Sequence, residues 1–331
     1  MRAYYWKAAI KMFLENPFTG IGLDRYQFYF KAYREVGYPL KYGFDITSSN
    51  AHNVYLQMLS TGGFLLFFSY FSITVITILF FYKAIKKNKD LLNDNLTIPV
   101  FAGWVTFQAQ SLISIDHLAL SVYGWLFSAV IIKKSIEPLT SSQVESQIIS
   151  NRSTRNLNLV GPIVTGVGFL ICFIMIQPIA KPDALTLQIR GLASSVNMNS
   201  EPQFQDLTKQ LVASKFVDQY NKLLVGSLLM QKNQVADAEM IFKSVADSDP
   251  ISYDALNNLA LIYEYKQEYA KAILIRKQLM TVDPWGAKNM YLLALDLKSI
   301  NDRNQMIIVR NQILAFASQT EYGKLAKDNL S

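Results

Sequence analysis

His52 and His117 are the only two histidines among 331 residues. The first lies in Ser48-Ser-Asn-Ala-His-Asn-Val-Tyr-Leu-Gln-Met-Leu-Ser-Thr-Gly-Gly63. A neutral imidazole can take a proton from a hydroxyl group, and an arginine guanidinium matches phosphate oxygens with its planar fork. Three arginines precede His52. Arg2 stands just before Trp6, while Arg25 and Arg34 are set among Tyr26, Phe28, Tyr29, Phe30, Tyr33 and Tyr38. Such a mixture of rings and cations suits a membrane interface, and it could also receive a diphosphate by charge and sugars by stacking. Asp116-His117 forms a second polar pair, in a tight turn between apolar runs, where a functional role and a solvated turn fit equally well. The two histidines are 65 positions apart without a clustered carboxylate set, which argues against zinc, and no other metal motif or cofactor is expected. The only cysteine, Cys172, lies inside an apolar run, so there is no disulfide framework.

The elements that must hold these groups read as helices. Ser48, Ser49 and Asn50 are helix-capping types, and the spacing predicts a helix through Leu59 that Gly62-Gly63 ends. His52 then falls in the first turn, where the helix dipole disfavours imidazolium. Residues 3–14 place Trp6, Ile10 and Phe13 on one helical face, and Asn16-Pro17 stops that helix. Thr19-Gly-Ile-Gly22 predicts a turn where the backbone approaches something closely.

Four apolar runs of membrane-spanning character follow, at about 64–82, 98–115, 118–132 and 159–180. The last contains Gly161, Gly166 and Gly168, which permit close helix packing. Lysines and arginines flank the loops 83–97 and 133–158. The positive-inside rule puts these loops in the cytoplasm, and the 1–61 region, the 116–117 turn and residues 181–331 outside. Hydrophobic residues make up 51% and charged ones 17% of the chain, a membrane-like balance. Residues 1–180 carry 15 basic and 9 acidic side chains against 17 and 16 in the remainder, so the net charge of +7 sits mainly in the membrane half. The polar third has no basic run with interleaved aromatics, which excludes nucleic acid as an expected partner. It does repeat: Asp249-Pro250 and Asp283-Pro284 are 34 residues apart, the tetratricopeptide period. Counting back from each proline finds Gly226, Ala238 and Phe242, then Leu256, Leu259, Ala260, Tyr263 and Ala272, with Ala294 in a third, degenerate unit. The fold class expected is therefore all-α: polytopic membrane helices followed by a soluble α-solenoid of tetratricopeptide type over 181–331. Its concave face would take a protein partner or an extended ligand.

Three ordered segments carry a family resemblance. Arg2-Ala-Tyr-Tyr-Trp6 with Glu15-Asn-Pro-Phe-Thr-Gly-Ile-Gly-Leu-Asp-Arg-Tyr-Gln-Phe28, the run Ala51-His-Asn-Val-Tyr-Leu-Gln-Met-Leu59 before Gly-Gly, and Gln110 to Trp125 together resemble the O-antigen ligase and polysaccharide polymerase family. These are bacterial inner-membrane glycosyltransferases. The resemblance implies a polyprenyl-diphosphate-linked glycan as donor, a hydroxyl on a glycolipid, glycan or protein as acceptor, and no cofactor. It implies catalytic roles for His52, as base or orienting group, and for Arg2, on the leaving diphosphate. Arg25, Arg34, Asn53, Asp116 and His117 become candidate substrate-binding residues. Members usually carry further spans before the Arg…Trp segment, so a truncated or split gene, or a start upstream, is expected. The alternative is a non-catalytic, membrane-anchored repeat scaffold derived from such an enzyme.

Overall fold

The computed structural model describes residues 1–87, 96–115, 117–136, 160–193, 201–214 and 217–330. Helices are the only regular elements among them. The N-terminal region contains α1 (Arg2–Glu15), α2 (Tyr26–Tyr33) and α3 (Gly37–Tyr42). Tyr5, Ala8, Ala9 and Met12 of α1 form a small core with Tyr26, Phe30, Tyr38 and Ala51. It is built largely from rings meeting edge to face, such as Phe30 and Tyr38 at 5.1 Å.

The next element, α4 (Val54–Lys87), is broken at Gly63, where φ is 62° and ψ is −160°. In a straight helix Tyr55 and Thr74 would lie about 28 Å apart along the axis. Here the Tyr55 and Thr74 hydroxyls are 3.4 Å apart, and the Tyr55 ring is 5.7 Å from Tyr70. The chain therefore folds back on itself at Gly63, as the Gly-Gly pair predicts. The 16–22 turn seals this corner: Ile21 and Gly22 donate to Ser60 O and Thr61 O at 3.0 Å, and Phe64 N donates to Pro17 O at 2.8 Å. A Cβ on Gly20 would lie 2.4 Å from the Thr61 carbonyl carbon, and one on Gly63 2.4 Å from that of Phe18. This is the close backbone approach expected of the Gly-Ile-Gly turn, and it leaves no room for side chains.

Two helices, α5 (Thr97–Ser111) and α6 (Leu118–Ile136), pack together. The Phe107 ring lies where a side chain on Gly124 would sit, and Trp104 Nε1 donates to Ser128 Oγ at 2.8 Å. Among the described residues, three helices are long and apolar enough to cross a membrane: Val54–Lys86, Leu118–Ile136 and Gly166–Ala193. The run at 98–115, expected as a span, is the shorter helix α5, which ends at Ser111.

Helix α7 (Val160–Ala193) runs without a break past Ala180, where the fourth span was expected to end. Its apolar stretch exposes Phe169, Phe173 and Met175, as a lipid-facing surface would. Its last turns bury Leu185 and Ile189 in the core of the C-terminal region. The apolar helix and the C-terminal region thus share one rod, and Asn221 Nδ2 donates to Asp183 Oδ1 at 2.6 Å to fasten the junction.

After α8 (Glu201–Ala213), six helices pair in chain order: α9 (Gln219–Gln231) with α10 (Val235–Ser248), α11 (Tyr253–Tyr265) with α12 (Tyr269–Val282), and α13 (Ala287–Ser299) with α14 (Arg303–Ala317). A short α15 (Glu321–Asn329) closes the stack. First helices open at 219, 253 and 287 and second helices at 235, 269 and 303, so every element recurs after 34 residues. Small residues recur with them. Gly226, Ala260 and Ala294 are buried at equivalent places, and the Phe242 ring lies against Gly226 where a Cβ would be 2.7 Å away. The position equivalent to Phe242 in the next pair is Arg276, fully buried. Its guanidinium is held by Glu264 Oε1 at 2.5 Å and Asn289 Oδ1 at 3.1 Å, with Asp296 Oδ2 3.6 Å away.

Candidate functional site

His52 precedes its helix instead of occupying the first turn. It takes the left-handed conformation, φ 52°, and Asn53 is the residue that caps α4, its Oδ1 accepting from Leu56 N at 2.9 Å. The capping roles expected of Ser48, Ser49 and Asn50 are accordingly replaced by local turn bonds. Ser48 Oγ donates to Asn50 O at 2.8 Å, and His52 N donates to Asn50 Oδ1 at 3.0 Å. Ala51 N is held by Gln57 Oε1 at 2.9 Å. These bonds oppose the cost of a left-handed non-glycine residue, about 1–2 kcal/mol. They present the imidazole half-exposed, 3.4 Å from Asn50 O through Nδ1 and with its ring 5.2 Å from the Tyr5 ring.

Tyr5 lies on α1, so the first turn of that helix also carries Arg2 on the same face, three positions earlier. Arg2 is exposed and makes no ion pair with the described residues. Asn53, expected to bind substrate, is committed at both ends of its amide: the oxygen caps α4, and Nδ2 donates to Leu112 O at 2.8 Å. It ties the His52 loop to the end of α5. His117 is exposed, and its carbonyl accepts from Ser121 at the start of α6. No bond joins its side chain to the His52 loop among the described residues. Asp116 lies outside the described residues.

The other two arginines have a different fate. Arg34 is fully buried, with NH2 donating to both Asp283 oxygens at 2.9 Å and NH1 to Phe44 O and Ile46 O at 3.1 Å. Arg25 NH2 donates to Asp249 Oδ1 at 2.5 Å. The two arginines bracket α2, and the two aspartates are the repeated Asp-Pro aspartates, 34 residues apart. Between them Lys31 Nζ sits 3.5 Å from the centre of the Tyr253 ring. Burial lowers the Lys31 pKa and raises that of Asp283, which the charges of Arg34 and Lys31 in turn pull back. Phe44 completes the contact, 6.4 Å from both the Phe316 and Tyr322 rings. The expectation that Arg34 meets a diphosphate is thus corrected, because its charge is spent on Asp283 in the protein interior. Arg25 is likewise engaged by Asp249, though its side chain remains 36% exposed. Sequence reasoning named both arginines and the Asp-Pro pair, and did not join them; no periodicity links residues so far apart.

Residues 1–71 match the family described as O-Antigen ligase. The matched region contains Arg2, the Gly-Ile-Gly turn, His52 and the Gly63 corner. The Gln110–Trp125 segment, read from sequence as a third point of resemblance, lies beyond it. No curated protein matches the chain. The described residues are all-helical in their regular structure, with three helices among them long and apolar enough to cross a membrane, and the N-terminal segment is similar to O-antigen ligases.

Proposed function

We propose that the protein is a membrane glycosyltransferase of the O-antigen ligase type. It moves a glycan from a polyprenyl-diphosphate carrier to an acceptor hydroxyl on a glycolipid, glycan or protein, outside the cytoplasm of a bacterial inner membrane. The observation that carries this reading is the presentation of His52. It is a half-exposed imidazole, held by a pinned left-handed loop against Tyr5, which itself stands one helical turn after exposed Arg2, inside the segment that resembles the ligases.

Each residue has a defined task. An Nδ1–H donating to Asn50 O leaves Nε2 as the acceptor for the hydroxyl proton. The freed oxygen forms the new bond to the anomeric carbon, the bond from that carbon to the diphosphate oxygen breaks, and the leaving diphosphate carries the electron pair. Arg2 neutralises the charge that develops there. The C-terminal region is read as a tetratricopeptide-like solenoid, on its 34-residue recurrence of helix pairs and small buried residues.

Membranes containing the full chain, supplied with a polyprenyl-diphosphate oligosaccharide, test the chemistry. His52→Ala is expected to reduce transfer ~10²–10⁴-fold at unchanged membrane level. Arg2→Ala is expected to be similarly damaging and Arg2→Lys only partly restorative, since an ammonium lacks the fork. Normal transfer by His52→Ala ends this assignment. Orientation is tested separately: a reporter active only outside the cytoplasm should work when fused after Ala180 and stay silent at Asn88. The opposite pattern would place His52 on the wrong side for an external acceptor.

A further inference from the structure

We propose that the cavity between α2 and the end of the second helix pair is a binding subsite for the glycan chain, built jointly by the N-terminal segment and the repeats. It rests on the reading of residues 1–71 as a glycan-transferring segment and adds a place for sugars remote from the bond that forms. The cavity measures about 870 Å³, inside the ~300–1,000 Å³ range of ligand sites. Rings come from both halves of the molecule: Tyr4, Tyr29 and Tyr33 from one, Trp285 from the other. Trp285 is half-buried and braced edge-on by Phe316 at 5.5 Å, so its ring is held in place before any ligand arrives.

Polar groups suited to hydroxyl and amide groups lie among these rings. Lys11 and Glu15 line the cavity one helical turn apart, and the Tyr33 hydroxyl donates to the Glu15 carboxylate. Arg34 also lines it. Its side chain is wholly buried and its charge is satisfied by Asp283, so Arg34 draws no second anion to this wall. Flat apolar rings alternating with carboxylate and hydroxyl groups match a sugar, which has an apolar face and a polar rim. The position is equally informative. Tyr4 lines this cavity while Tyr5, the next residue, meets His52, so adjacent positions of α1 serve the subsite and the proposed chemistry.

The full chain in lipid nanodiscs, free of sugar-headed detergents that would compete, is titrated calorimetrically with chitotetraose and with maltoheptaose. At least one is expected to bind, Trp285→Ala to weaken it by about tenfold, equivalent to ~1.4 kcal/mol, and Trp285→Tyr to retain most of the affinity. His52→Ala is expected to bind as the unmodified chain does. Pyrophosphate is expected neither to bind in the cavity nor to displace the oligosaccharide. Absence of binding by both oligosaccharides, unchanged affinity in Trp285→Ala, failure of Trp285→Tyr to retain binding, or displacement by pyrophosphate would overturn the subsite. No donor or transfer step enters this titration. Loss of the transfer reading therefore shows as normal transfer by His52→Ala, and loss of the subsite shows only here.

Discussion

The His52 loop and helix α2 of the clasp both lie within residues 1–63, and both combine aromatic rings with basic side chains. They end in opposite states. The loop spends its backbone and amide groups on a network that leaves the imidazole and Arg2 reachable. The clasp spends its guanidinium groups on carboxylates of the C-terminal region, and Arg34 disappears from the surface. The difference teaches that an arginine among tyrosines is an ambiguous signal. What decides is whether a carboxylate elsewhere in the chain is placed to neutralise it.

The comparison is broken most forcefully at Arg34. Arg34→Ala leaves Asp283 as an uncompensated buried charge, and removal of one partner from such a pair costs ~3–5 kcal/mol. A large fall in the thermal midpoint of the nanodisc-embedded chain is expected, partly recovered in Arg34→Ala/Asp283→Ala. Equal stability of the single variant and the parent would mean that the pair is not desolvated. His52→Ala, in the same assay, should leave the midpoint close to that of the parent.

A smaller effect sharpens the contrast between a satisfied carboxylate and one that is not. Asp296 is buried beside Glu264, and desolvation followed by the Glu264 charge raises its pKa to about 7, with Arg276 opposing. The folded protein holds a proton there that the unfolded chain releases near the ordinary 3.8. The Asp296 contribution to stability is therefore largest at acidic pH and is lost as pH rises through about 7. Midpoints measured at about pH 5 and about pH 8 should differ more in the parent than in Asp296→Asn. Identical profiles would show that the site does not titrate in this range. The smallest effect belongs to Arg25→Ala. Its pair with Asp249 is solvent-accessible on the arginine side, which limits it to about 0–1 kcal/mol. A loss as large as that at Arg34 would mean that both ends of α2 are equally anchored.

Much of the architecture was legible in the sequence. The Gly62-Gly63 break, the close approach at Gly20 and the 34-residue recurrence follow from local chemistry: glycine tolerates the left-handed region, and repeats restate their own small residues. The helix within the 98–115 run ends earlier than the sequence suggests, because apolar composition continues through Leu112 and Ile113 after the helix has ended at Ser111. The start of the His52 helix lies three to five residues beyond the caps expected at Ser48, Ser49 and Asn50, since these and Asn53 are all capable caps and only the fold selects Asn53. Arg25 and Arg34 were beyond reach. Their partners lie 224 and 249 positions away, and pairing over such separations is decided by tertiary packing.

One consequence of the clasp concerns inheritance. Two cations nine positions apart on a helix-bearing segment engage two carboxylates separated by one repeat, in the manner of a two-pin plug. Inserting a single residue into α2 would turn one pin by about 100° relative to the other, so only one could seat. The length of α2 and the pitch of the repeats are therefore locked to each other. A repeat array borrowed from elsewhere would mate with this membrane segment only if it brought aspartates at the same interval, which makes the two halves a keyed pair instead of interchangeable modules.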